Sequence, residues 1–328
     1  MSKINIHFKG QALETSENET VLSTLIRHQH PVPFSCQNGI CHTCMLKCTK
    51  GHIPQEAQNG IKDTLVNDGY FLACACTPSE DLYISLPDES ALFSKATVLE
   101  KNRLAPHIYQ ILLDPVTPLY YHAGQFINLH RQDGLSRSYS LASHPQQDRV
   151  LEIHVGRHSQ GQMSHWIFDE FKEGDCIDIQ GPNGGCYYLA NKQEMPLLLI
   201  GTGTGLAPLV GILKDALYSK HVGDIYLYHG SRLVDGQYLK SMLRSMEKEY
   251  QRFHYTPCIS GDVMDNDSVA GRACNTAFKE HTDLEGCRVY LCGDPSMVHS
   301  AKKRAYLAGA ALSDIYTDPY ELTPIPSS

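Results

Sequence analysis

Basic residues are in short supply: 28 Lys and Arg stand against 36 Asp and Glu, a formal charge of −8 over 328 residues. Such a chain has no cationic excess to neutralise phosphates, which argues against a nucleic-acid partner. Long apolar runs are missing too. The longest uncharged stretch, Met195 to Leu213, is interrupted by Gly201, Gly203, Gly205, Pro208 and Gly211, so it predicts strand, turn and helix start and no membrane insertion. The opening MSKINIHFKG lacks a signal-peptide core, and the expected location is cytoplasmic. None of the 17 histidines sits in a two-His spacing around a Glu, and no Ser or Cys hydrolase constellation stands out. With 42% hydrophobic and 20% charged residues the chain is globular, and its length predicts two or three domains that need no disulfide staples.

What is abundant is cysteine, and unevenly so. Six of the twelve fall between Cys36 and Cys76. In a chain expected in the cytoplasm, such clustering points to metal ligation. Cys36, Cys41 and Cys44 are separated by four and two residues, and Cys74 follows after 29 more. That is the ligand spacing of a plant-type 2Fe–2S site, with Gly39 letting the loop curl close to the cluster. A four-thiolate zinc site from Cys41, Cys44, Cys74 and Cys76 is the rival, although it leaves Cys36 and Gly39 without a role. Strand patterns at 3–9 and 82–86 and a helix between Thr20 and His28 surround these signals. The loop CQNGICHTC and the later LACACTPSEDLYISLP resemble the ferredoxin domain family over roughly residues 1–90, departing from it at Gln37 and His42. The resemblance makes Cys74 the fourth ligand and Cys48 and Cys76 bystanders. Cys176, Cys186, Cys258, Cys274 and Cys287 are expected to be small buried residues.

A polar linker is expected from Asp88 to Ser94. Strand patterns follow in ATVLEKNRL, HIYQILLDP, GQFINLHR, SRSYSLAS and VLEIHVGR, predicting an antiparallel barrel or sandwich to about residue 190. In a strand, Arg137 and Tyr139 face one side, Ser138 and Ser140 the other. A guanidinium beside an aromatic ring suits a phosphate and a flat heterocycle, though an ordinary amphipathic strand reads the same. Gly161, Gln162, Met163 and Ser164 open a predicted helix with Met163, Trp166, Ile167 and Phe171 inward, capped by Ser159 or Ser164 or offering its amides to a pyrophosphate. Gly181 to Gly184 reads as a turn. Together these resemble the flavin domain of the ferredoxin–NADP reductase superfamily. The resemblance implies FAD, with Arg137 on the pyrophosphate and Tyr139 against the ring system. It also makes Ser138 a flavin-binding residue of the same strand, and puts Ser140 near the reactive ring nitrogen and Gly161, Met163 and Ser164 along the phosphates.

From Pro196 strands alternate with helices, which predicts a parallel sheet binding its ligand at the strand carboxyl ends. Gly201, Thr202, Gly203 and Gly205 form a glycine turn at one such end, and Cys292 and Gly293 sit at another. GTGTGLAP with a CGxPxM strand end again resembles the reductase superfamily. It implies Thr202 and Gly203 at the dinucleotide, Cys292 near the reacting nicotinamide carbon, and Tyr320 over the flavin. Arg232, after a strand that ends without an acidic residue, leaves NADH and NADPH both open, with NADH favoured by the ferredoxin-first order.

Taken whole, the chain is similar to the iron–sulfur flavoprotein reductases of bacterial multicomponent oxygenases. Three domains are implied: 1–90, an α+β ferredoxin domain of the β-grasp type; 95–192, an antiparallel β-barrel for FAD; and 193–328, an α/β parallel-sheet domain for NAD(P). The implied function is hydride transfer from NAD(P)H to FAD, then single electrons through the 2Fe–2S cluster to an external acceptor protein, an oxygenase component. The alternative is a self-sufficient flavin or ferric reductase acting on small molecules. Residues 1–90 hold six basic and ten acidic side chains, so they carry half the net charge. That charge either steers a basic partner or keeps the surface solvated.

Overall fold

The computed structural model describes residues 4–88, 92–262 and 265–321. Three sheets follow one another along the chain. The first contains β1 (Asn5–Phe8), β2 (Gln11–Glu14), β3 (Met45–Lys50), β4 (Tyr70–Leu72) and β5 (Leu82–Ser85), in the order β2-β1-β5-β3-β4. β1 buries Ile6 and Phe8 by alternation and pairs parallel to β5, so it is an interior strand of its sheet. Helix α1 (Val21–Arg27) starts where the Thr20 hydroxyl accepts the Ser23 N–H, and it turns Val21, Leu22 and Leu25 onto that sheet. A short helix, α2 (Asp63–Asn67), leads into β4.

The second sheet comprises β6 (Ser94–Ala105), β7 (Ile108–Pro115), β8 (Phe126–His130), β9 (Ser136–Ser140), β10 (Leu151–Gly156) and β11 (Cys176–Asn183). All its pairings are antiparallel, in the order β10-β7-β6-β11-β8-β9. A bridge between Leu141 and Ile153 joins the two ends, closing the sheet into a barrel around Ile111, Ile127, Leu129 and Ile153. Helix α3 (Gln162–Asp169) packs Met163 and Ile167 against it.

The third sheet is all parallel: β12 (Leu197–Thr202), β13 (Ile225–Ser231), β14 (Phe253–Ile259), β15 (Val269–Ala270), β16 (Arg288–Gly293) and β17 (Ile315–Pro319), ordered β15-β14-β13-β12-β16-β17. Helices α4 (Leu206–Tyr218) and α5 (Lys240–Glu249) share one core cluster with it, and α6 (Ala273–Glu280) and α7 (Pro295–Leu307) the other. Leu197 to Ile200 are therefore buried without alternation, as a strand covered on both faces must be. Strand order reverses between β12 and β16, and sheets of this kind bind ligands beyond the strand carboxyl ends at such a point. Among the described residues no helix is long and apolar enough to cross a membrane.

Several sequence expectations need correction. Ser94 opens β6 rather than ending a linker, and residues 89–91 of that linker lie outside the described residues. Gly181 to Asn183 continue β11 across an irregular register, because Asn183 still pairs with Phe126. Phe171 is buried but lies beyond the end of α3. Cys176 is exposed, at the first residue of β11, while Cys186, Cys258, Cys274 and Cys287 are buried.

Candidate functional site

The cysteine loop is shaped by backbone in the left-handed region at Gln37, Gly39 and His42, with φ of 55°, 71° and 61°. Both departures from the ferredoxin pattern thus occupy the conformation that favours glycine. The curl aims N–H groups at sulfur: Asn38 at Cys36 Sγ (3.3 Å), Cys41 at Cys36 Sγ (3.4 Å), and Gly39 at Cys74 Sγ (3.3 Å). Cys74 arrives from the turn after β4. The four thiols form two interacting pairs, Cys36 with Cys41 and Cys44 with Cys74. The Cys36 thiol is held down at about 5 by its hydrogen bond with Cys41 and by the loop N–H groups, and Cys74 is lowered chiefly by Cys44. Among the described residues no group of three or more His, Cys, Asp or Glu side chains is placed to hold a metal ion. N–H groups aimed at the Cys36, Cys41 and Cys74 sulfurs suit thiolate ligands of an iron–sulfur cluster. The rival set is not assembled: Cys76 packs in the ferredoxin-side core, and burial pushes its thiol up to about 12. Cys48 instead donates to the Lys50 carbonyl (3.4 Å).

One edge of this loop is exposed through Gln37, Asn38 and Ile40. The other edge meets the barrel, where the Asn128 amide donates to the Cys41 carbonyl at 2.6 Å.

On β9, Arg137 is half-buried, donates to the Ser136 carbonyl (2.7 Å), and forms no ion pair among the described residues. Burial lowers its pKa, so an anion brought to this guanidinium would meet uncompensated charge. Tyr139 packs at the barrel core, and burial raises its phenol pKa. The Ser138 hydroxyl is directed elsewhere and donates to Asn128 Oδ1 (2.8 Å). At the head of α3, Gly161 is itself the N-cap with no side chain on the amides. The buried Ser164 hydroxyl donates back to the Gly161 carbonyl (2.9 Å), so neither Ser159 nor Ser164 caps this end. A helix start without a side-chain cap and an arginine without an ion pair each suit a pyrophosphate.

Ser140, at the end of β9, donates to Asp318 Oδ2 at 2.6 Å. Asp318 lies on β17 beside Cys292, its register partner on β16. Burial raises the Asp318 carboxyl to about 6 against the opposing hydrogen bond from Ser140. Tyr320 follows: its N–H donates to the Gly293 carbonyl (2.8 Å) and its hydroxyl to the Thr204 carbonyl (3.1 Å). The phenol lies beside Asp318, Cys292 and Ser140. Cys292 is fully buried, 3.7 Å from Cys186 Sγ, and burial pushes its thiol far up.

In the glycine turn the positions divide. A Cβ on Gly205 would lie 2.4 Å from the Cys292 carbonyl oxygen, so this glycine permits β16 to approach. Gly201 is likewise walled by Leu209, 2.7 Å from where its Cβ would be. Gly203, at φ +55°, faces open space, leaving room for a ligand against bare backbone. The Thr202 hydroxyl accepts the Asp294 N–H (3.1 Å), holding the two strand ends together. Arg232 is exposed in the loop after β13.

Asp318 and Asn128 are the participants that sequence reasoning missed. The first had a signal in the tail IYTDPY, Ile315 to Tyr320, and the second had only its place in an alternating strand.

Comparison with known proteins gives three matches: a 2Fe-2S iron-sulfur cluster binding domain over residues 4–79, an oxidoreductase FAD-binding domain over 95–188, and an oxidoreductase NAD-binding domain over 199–303. The chain is 30% identical to a terephthalate 1,2-dioxygenase reductase component (component 2) of a Comamonas species, over 98% of each chain. It is 32% identical to the reductase subunit of an aromatic O-demethylase from an Amycolatopsis species, over 90% of this chain and 91% of that one. Among solved structures, an Amycolatopsis cytochrome P450 reductase superposes with a TM-score of 0.70 at 28% identity, covering 97% of this chain and 98% of the other.

Proposed function

The chain belongs to the family of iron–sulfur flavoprotein reductases that includes the reductase components of aromatic oxygenase systems, and from that premise we propose its electron path and partner. It is an NAD(P)H-dependent oxidoreductase with 2Fe–2S, FAD and nicotinamide sites. The proposed donor is NADH, with NADPH admitted by the exposed Arg232. The proposed acceptor is a separate oxygenase component in the cytoplasm, and the working units are 1–90, 95–192 and 193–328.

When bound, the nicotinamide supplies hydride, the flavin converts electron pairs to single electrons, and the cluster carries those one at a time. The rest is the work of side chains. Arg137 and the open start of α3, with Gly161, Met163 and Ser164, would hold the FAD pyrophosphate, and Tyr139 would flank the ring system. The Ser140 hydroxyl, fixed by Asp318, would hydrogen-bond at the reacting end of that ring. Thr202, Gly203 and Gly293 would admit the dinucleotide beside Cys292, while Tyr320 excludes water until the nicotinamide arrives. Cys36, Cys41, Cys44 and Cys74 would ligate the cluster, and the exposed Gln37, Asn38 and Ile40 edge would meet the acceptor.

One observation carries this reading: the barrel strand β9 is in contact with both neighbours. Ser140 reaches the nucleotide sheet through Asp318, and Ser138 reaches the cysteine loop through Asn128. The test is anaerobic titration of purified protein with NADH, after iron, sulfide and FAD analysis. A flavin that bleaches and a paramagnetic cluster signal that grows are expected. A protein containing zinc, or one whose cluster signal never appears, overturns it.

A further inference from the structure

Ser138, Asn128 and Gln180 stand side by side on β9, β8 and β11, in direct cross-strand register. Side chains in such a row share one face of the sheet, and the cysteine loop covers this one at Asn128 and Gln180, leaving Ser138 exposed. The Asn128 side chain is fully buried. It donates to the Cys41 carbonyl (2.6 Å) and to Gln180 Oε1 (3.0 Å), and its own oxygen accepts the Ser138 hydroxyl (2.8 Å). Gln180 extends the contact with a long donation to the His42 carbonyl (3.5 Å). A buried amide is costly unless its donors and acceptor are all used, and here they are. An apolar residue would suffice to pack the outside of a barrel strand. The amide is required only if the loop backbone must be held.

We infer that Asn128 is a positioning residue for internal electron transfer, pinning the Cys41 backbone to the flavin strand at Ser138. The inference rests on the reductase reading above. Through Asn128, two hydrogen bonds connect the residue between Arg137 and Tyr139 to a cluster ligand 87 positions away from Asn128 in sequence. Losing it leaves the Cys41 carbonyl unsatisfied and lets the loop lift from the barrel, with no effect on the distant nicotinamide crevice.

The test uses the loaded enzyme with Asn128→Asp, which keeps the shape but turns an acceptor toward the Cys41 carbonyl. Asn128→Ser, too short to reach Cys41, is read the same way should the first variant fold poorly. Two measurements are made. In anaerobic single turnover with NADH, flavin bleaching should stay within twofold of the wild type while cluster reduction slows about tenfold, the scale of one lost buried hydrogen bond. In amide hydrogen exchange, residues 38–45 should exchange about tenfold faster in the variants while α1 stays protected. Cluster reduction at the wild-type rate overturns the inference, as does equal slowing of flavin and cluster. If the wild type itself reduces its flavin but never its cluster, the reductase reading falls and this inference with it.

Discussion

The Ser140 hydroxyl and the Asp318 carboxylate are bonded at 2.6 Å although 178 residues separate them. That contact seals the barrel against the last strand of the nucleotide sheet, and it gives the site a titratable group where none was expected. Asp318 is raised by burial to about 6. A carboxyl shifted up binds its proton more tightly in the folded state, so folding loses stability as pH rises from about 4 through about 6. Asp318→Asn removes this cost. The variant should gain on the order of 1 kcal/mol over the wild type between pH 5 and pH 7, measured by denaturant melts at both values. A constant difference across that range would sink the assignment.

Tyr320 occupies the space beside Ser140, Cys292 and the Thr204 carbonyl. A dinucleotide that must displace it binds more weakly by the fraction of time the ring stays in place. Tyr320→Ala should therefore tighten binding of oxidised dinucleotide by about tenfold, read by difference-spectrum titration. Unchanged or weaker affinity contradicts the displacement.

The turn glycines should separate by variant. Gly205→Ala drives a methyl into the Cys292 carbonyl 2.4 Å away, and the cost should be about 3 kcal/mol with loss of NADH-driven reduction. Gly203→Ala meets no neighbour and bears only backbone strain of about 1 kcal/mol. It should fold normally and fail instead in dinucleotide affinity. Thermal melts paired with binding titrations distinguish the two, and equal melting temperatures would refute the division.

Cys74→Ser should abolish the cluster's visible and paramagnetic signatures, whereas Cys76→Ser, altering a core thiol, should leave iron and sulfide content near two each per chain. The reverse pattern would restore the zinc alternative.

Much of this was legible in the sequence. The cysteine spacing was legible because three of its members come from one loop, and β12 was readable because a strand covered on both faces is apolar throughout. What escaped notice has a common physical cause. Asp318 looks like any polar residue in a tail until β17 pairs with β16 and Ser140 is brought against it. Asn128 looks solvent-facing in an alternating strand, since its burial comes from a loop of another sheet. Cys176 reads as a small core residue, yet it falls at the exposed start of a strand. Contacts between units leave no periodicity in either partner.

The 178-residue reach of the Ser140 contact also sets a timetable for biosynthesis. At ribosomal speeds of roughly 5–20 residues per second, about ten to thirty seconds elapse between emergence of the hydroxyl and emergence of its carboxylate. The cysteine-rich unit can mature on the nascent chain during that interval. The flavin cleft remains unsealed throughout, so secure retention of its coenzyme belongs to the released polypeptide.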